Sequence, residues 1–156
     1  MPTGFITHPI YLSHETGYRH PETPKRLLAI HDYIDKAGIA SFLKFVTPIH
    51  HPEIGNWITK IHHPDYYQLL YQKIPKYGLV YLDPDTPLSP LSVQSAEMAV
   101  SGVLTAIDEV MAGRLQNAFC AIRPPGHHAE QNRAMGFCLF NNEAISIFIR
   151  ASASMS

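Results

Sequence analysis

Cysteine is scarce: Cys120 and Cys138 are the only two in 156 residues. Without a Cys-x-x-Cys pair they form no recognisable redox or zinc module, and two thiols do not make a disulfide framework. No run approaches the 18 or so apolar residues that a membrane span needs. The opening Met-Pro-Thr-Gly-Phe-Ile-Thr-His lacks the basic region and continuous apolar stretch of a secretory signal, so the cytoplasm is the expected compartment. Charge is also thin, at 16% of residues, with 12 basic against 13 acidic groups. A net charge of -1 argues against a basic nucleic-acid module and against a polybasic membrane anchor. With 46% hydrophobic residues the chain has material for a core, and disorder is not expected.

Histidine, in contrast, is abundant. There are ten, and six of them fall in three tandem pairs: His50-His51, His62-His63 and His127-His128. The first pair, flanked by Pro48 and Pro52, reads as an exposed turn. The second precedes Pro64 and reads as capping or packing. Trp57 falls at core spacing, and Tyr66 and Tyr67 read as half-buried packing.

Periodicity supplies the elements. Phe5-Ile6 is a short apolar piece. Thr23-Pro24 reads as an N-cap and first helical residue, leading Leu27, Ile30, Ile34 and Ala37 to a stop at Gly38. Residues 42–46 read as a strand. Ile54, Trp57, Ile58 and Ile61 mark a second helix, and Pro64 starts a third. Leu79 to Leu82 is apolar and ends in the turn-rich 83–87. A long helix is predicted from Ser92 to Ala112 and a buried strand over 118–122. Asn141-Asn142 then caps a final helix. Alternating helices and strands predict an α/β fold with a largely parallel sheet. In the last helix, Ala144, Ile145, Ile147, Phe148 and Ile149 form a nearly continuous apolar run, which demands cover on more than one side.

The strongest local signal is Arg123 to Phe140, RPPGHHAEQNRAMGFCLF. Ligands of open α/β sheets bind beyond the carboxyl ends of the strands, where a stiff Pro-Pro-Gly turn would hold His127 and His128. Imidazole, titrating nearest neutrality, suits proton transfer or metal ligation. A solvated surface pair is the competing reading. A structural metal on Cys120, His127, His128 and Cys138 matches no common zinc spacing; buried cysteines explain that pair more simply.

These blocks resemble the histone deacetylase superfamily, including bacterial acetoin-utilisation-type and polyamine deacetylases. The resemblance rests on His20-Pro21-Glu22-Thr23-Pro24-Lys25-Arg26, Ile61 to Tyr66, Leu82 to Thr86, the helix from Ser92, RPPGHHA and MGFCLFNNEAI, in family order. It implies a truncated three-layer arginase/deacetylase-like fold, with residues 1–150 as the N-terminal part of the domain and 151–156 as a tail outside the family pattern. It implies that His127 and His128 are the catalytic tandem histidines. Gly136 would present a backbone carbonyl to the acyl-lysine amide and Phe137 would wall the channel. Cys138 would lie beside the acetyl pocket, Arg26 would line the inner cavity, and Asp83 and Asp85 would stand near the channel mouth, Asp85 being the candidate substrate contact.

The resemblance also implies zinc and an acetylated lysine or acetylpolyamine substrate for the full domain. Yet no Asp follows Asp108 in this sequence, so the Asp-x-His pair and later aspartate that hold the family's zinc are absent. No metal ligand is therefore assigned within the chain, and no appreciable deacetylase activity is expected of it alone. The alternative is a non-catalytic remnant that binds a partner, forms an oligomer or pairs with a complementing C-terminal half.

Overall fold

A computed structural model describes residues 1–154. Its centre is a three-stranded parallel sheet of β1 (Thr3–Ile6), β2 (Leu43–Val46) and β5 (Asn117–Cys120), in the order β2-β1-β5. Between β2 and β5 come the helices α2 (Ile54–Ile58) and α3 (Pro64–Lys73), an antiparallel two-residue pair β3 (Val80–Tyr81) and β4 (Pro87–Leu88), and α4 (Ser92–Met111). Helix α1 (Lys25–Lys36) links β1 to β2, and α5 (Asn142–Ser154) closes the chain. The α/β prediction holds, with a mostly parallel sheet.

Register places side chains on alternating faces. Phe5 pairs with Phe45 on one side and Phe119 on the other, and their rings meet at 5.2 and 5.8 Å. His31 of α1 closes on Phe5 edge-on at 5.2 Å, covering that face. The opposite face carries Ile6, Val46, Ala118 and Cys120 against Ala106 and Val110 of α4. The result is helix, sheet, helix. A second core joins α2, α3, α4 and α5 through Ile58, Leu70, Val100, Phe140 and Ile145.

Boundaries moved where side chains or backbone override spacing. The strand expected over 42–46 begins at Leu43, because 39–42 make a 3-10 turn, and the buried strand expected over 118–122 is displaced to 117–120, where as an edge strand it is half-exposed rather than buried. Thr23 does not cap α1 with its side chain; Pro24 holds the cap position in αR geometry, and the Thr23 carbonyl accepts from Arg26 N at 3.1 Å. At α5 the capping reading holds, with Asn141 Oδ1 accepting from Ala144 N at 3.0 Å. Ile145 is buried and Ile149 packs on the core, whereas Ile147 and Phe148 are 64% and 43% exposed. Of the expected tail, 151–154 continue α5 and 155–156 lie outside the described residues. Among the described residues no helix is long and apolar enough to cross a membrane.

Candidate functional site

Strand β5 ends at Cys120, and the chain then runs through Arg123-Pro124-Pro125-Gly126 to the histidine pair. This segment is pinned along its length. The Arg123 carbonyl accepts from Ser95 Oγ at 2.8 Å, and the Pro124 carbonyl from Asn142 Nδ2 at 3.3 Å. Gly126 lies so close to the start of α5 that a Cβ would stand 2.5 Å from Asn142 N and 2.8 Å from the Phe140 carbonyl. Only glycine fits such an approach. His127 and His128 follow, exposed, with ring centroids 4.2 Å apart.

The other wall is a tight hairpin. Met135 and Cys138 exchange backbone hydrogen bonds of 3.2 and 2.9 Å around Gly136 and Phe137. Gly136, at φ +54°, presents a bare Cα to His128; a Cβ there would come within 2.8–2.9 Å of the imidazole. The pair and the hairpin are thus fitted to one another.

Six of the residues singled out in the sequence converge here. Arg26, Asp85, His127, His128, Gly136 and Phe137 all line one cavity of about 500 Å³. Cys138, the seventh, is fully buried one layer behind, its thiol 3.2 Å from the Gly136 carbonyl. Burial pushes that thiol up to about 11. Asp83 is not among the residues lining the cavity; its carboxylate accepts from Asp85 N at 3.0 Å.

Sequence reasoning missed what lies beneath. Glu22 lines the cavity yet is 3% exposed, and Arg123 is wholly buried against it. Arg123 donates from Nε to Oε1 at 2.6 Å and from Nη2 to Oε2 at 2.7 Å, a two-pronged ion pair, while Nη1 reaches the Tyr11 carbonyl at 2.7 Å. Arg26 adds a third donor to the same carboxylate at 3.0 Å. His14 stands 3.7 Å from Glu22 and 2.7 Å from Ser92 Oγ. Burial first, and Arg123 second, pull its imidazole down to about 4, so it is neutral beside the ion pair. Glu22 and Arg123 both stand inside the quoted motif blocks, which was the available signal.

The remaining tandem histidines divide. His63 Nδ1 caps α3 by accepting from Asp65 N at 3.2 Å, and buried His62 accepts from Asn141 N at 2.9 Å, both as the capping-or-packing reading expected. His50 is more than an exposed turn: its Nε2 lies 2.9 Å from the carboxylate of buried Glu97, which also accepts from the hydroxyls of Tyr67 and Tyr71. Burial and that carboxylate push the Tyr71 phenol up to about 12. Trp57 is half-buried, stacked on His51 at 4.0 Å.

A catalytic zinc requires about three protein ligands. Among the described residues no three His, Cys, Asp or Glu side chains come together as a metal-holding group. The residues present do not fit a complete zinc site.

Comparison with known proteins agrees with the geometry. A family model described as the histone deacetylase domain matches residues 20–153. An uncharacterized protein of Synechocystis is 42% identical over 139 residues, covering 87% of this chain and 44% of that one. A probable deacetylase of Archaeoglobus fulgidus is 32% identical over 147 residues, 94% of this chain and 40% of its own length. The crystal structure of the HDA15 HD domain superposes with a TM-score of 0.85 at 26% identity, over 97% of this chain and 43% of that one. The chain therefore spans less than half the length of these relatives. A matched family model, order-preserving motifs and a shared fold make the chain a member of the histone deacetylase domain family.

Proposed function

We propose that this chain supplies the amide-cradling part of a zinc-dependent deacetylase acting on acetylated lysine or polyamine amines, and that it does not turn over substrate alone. The observation that carries this reading is the convergence of Arg26, Asp85, His127, His128, Gly136 and Phe137 on one cavity. In this reading His127 and His128 move protons at their ring nitrogens, the Gly136 carbonyl accepts from the substrate amide, and Phe137 flanks the alkyl chain. In this reading residues 1–150 form the N-terminal part of the domain, and the family match runs on to residue 153. Cytoplasmic placement rests on two unpaired cysteines.

Two positioned imidazoles supply about 10²–10⁴-fold by acid–base catalysis. Enzymes that hydrolyse unactivated bonds reach accelerations several powers of ten larger. The ligands that would hold zinc must come from sequence beyond this chain. The test is an acetyl-lysine peptide assay of purified 1–156, with and without chelator. No turnover is expected; turnover abolished by the chelator overturns the reading.

One observation favours the interaction alternative. Phe119 on the free edge of β5 is 52% exposed, and Ile147 and Phe148 of α5 are also uncovered. Such surface favours association with a second copy or a complementing half. Light scattering of the pure chain separates the two, because a stable oligomer of fixed size supports the interaction role and a monomer removes it.

A further inference from the structure

Among the described residues, only Arg19 and Phe137 are non-glycines with positive φ, Phe137 at +71°. A bulky side chain in that region is disfavoured and persists only where its surroundings impose it. Gly136 and Phe137 are the two central residues of a type I′ turn, whose positions favour glycine or asparagine. The turn's own two hydrogen bonds account for Gly136. They give no reason for phenylalanine beside it.

The reason lies across the cavity rim. Phe137 N–H donates to Thr86 Oγ1 at 3.1 Å, and Thr86 is only 1% exposed. The Thr86 hydroxyl donates onward to Asp85 Oδ1 at 3.3 Å, while its backbone closes the turn, its carbonyl accepting from Leu82 N at 3.0 Å. His20 braces the same pair. Its Nδ1 accepts from Glu22 N at 3.1 Å, which leaves Nε2 to donate to the Asp85 carbonyl at 2.9 Å. Its ring meets Phe137 edge-on at 4.9 Å. Two cavity-lining residues, Phe137 and Asp85, are therefore joined through one buried hydroxyl.

We propose that Thr86 is a positioning residue that holds Phe137 in its left-handed conformation against Asp85, and so sets the width of the slot that receives the acylated side chain. The role of the slot rests on the deacetylase reading; the positioning of Phe137 does not.

The test compares Thr86→Val, which keeps shape and removes the hydroxyl, with Thr86→Ser, which restores it. Two measurements are made on the full chain. Amide exchange and ring signals of Phe137 are followed by NMR, and binding of an acetyl-lysine peptide is titrated. The valine variant should accelerate Phe137 amide exchange on the order of tenfold, shift the Phe137 ring signals and lower Tm by no more than several degrees. Serine should return both towards wild type. Unchanged Phe137 signals in Thr86→Val overturn the proposal, as does a uniform loss of protection across the chain that serine does not rescue. In the binding arm, weaker peptide affinity in Thr86→Val supports the slot assignment and equal affinity overturns it. If the wild-type chain binds no peptide, the deacetylase reading of the slot fails, and the Phe137 signals still decide whether Thr86 positions it.

Discussion

The floor of the cavity and its rim are built on opposite principles. Beneath, Glu22, Arg123 and His14 are almost wholly buried, and the Glu22 carboxylate takes hydrogen bonds from two guanidinium groups. Above, His127 and His128 are exposed and make no side-chain hydrogen bond among the described residues. Rigidity has been placed in the support, and the groups with chemical potential have been left open. On the proposed deacetylase reading, this division leaves both imidazoles open to a substrate entering the cavity.

The sharpest way to break the comparison is to unpair the floor. Glu22→Gln leaves the Arg123 guanidinium buried without a counter-charge, which typically costs about 3–5 kcal/mol. A large fall in the urea midpoint is expected; a fall of a few tenths of a kcal/mol would show that the ion pair is relieved by solvent. A smaller effect comes from acid. His14 is held near 4 in the fold and returns to its ordinary 6.5 when unfolded. The unfolded state therefore binds the extra proton between those values. The stability it contributes is complete above about pH 6.5 and is lost as pH falls towards 4. A gap of that size is worth roughly 3 kcal/mol. Urea unfolding across that window should flatten in His14→Gln, with a residual slope from His62, whose imidazole burial also lowers.

What the sequence disclosed follows the same division. Helix α4 was legible because Val93, Ala96, Val100, Val103, Leu104 and Ile107 repeat at helical spacing up to Gly113. The histidine pair was legible because the Pro-Pro-Gly turn before it restricts the backbone. The floor was not. Glu22 and Arg123 are 101 positions apart, and a pairing over that distance leaves no periodic trace. Glu97 was hidden for a related reason. It interrupts the apolar stripe of α4 and is tolerated in the core because Tyr67, Tyr71 and His50, from two other parts of the chain, satisfy its carboxylate. Phe137 was read as a wall from resemblance alone, and its left-handed backbone depends on Thr86, a tertiary contact.

Floor and rim meet at Gly136, and substitution there measures how far the support extends. In Gly136→Ala a methyl group in left-handed geometry costs about 1–2 kcal/mol, and it falls within 2.8–2.9 Å of the His128 ring. The expected result is a moderate loss of stability together with a shift of the His128 imidazole signals by NMR. A loss of stability with no movement of those signals would mean that the hairpin yields instead, and that His128 is placed by its own loop.

The smallest effect expected is on the residues with the strongest chemical case. His127→Ala and His128→Ala each remove an exposed ring that satisfies no buried donor or acceptor, so stability should change by no more than about 0.5 kcal/mol. Measured beside Glu22→Gln, this gives a ratio that a purely structural pair could not produce. Were either alanine variant to lose several kcal/mol, the imidazoles would belong to the support, and the stiff turn would be holding a packing element. Near-neutrality says instead that Pro124, Pro125 and Gly126 fix the position of two side chains the fold does not need. On the proposed deacetylase reading, that placement leaves both imidazoles free to move protons at the cavity they line.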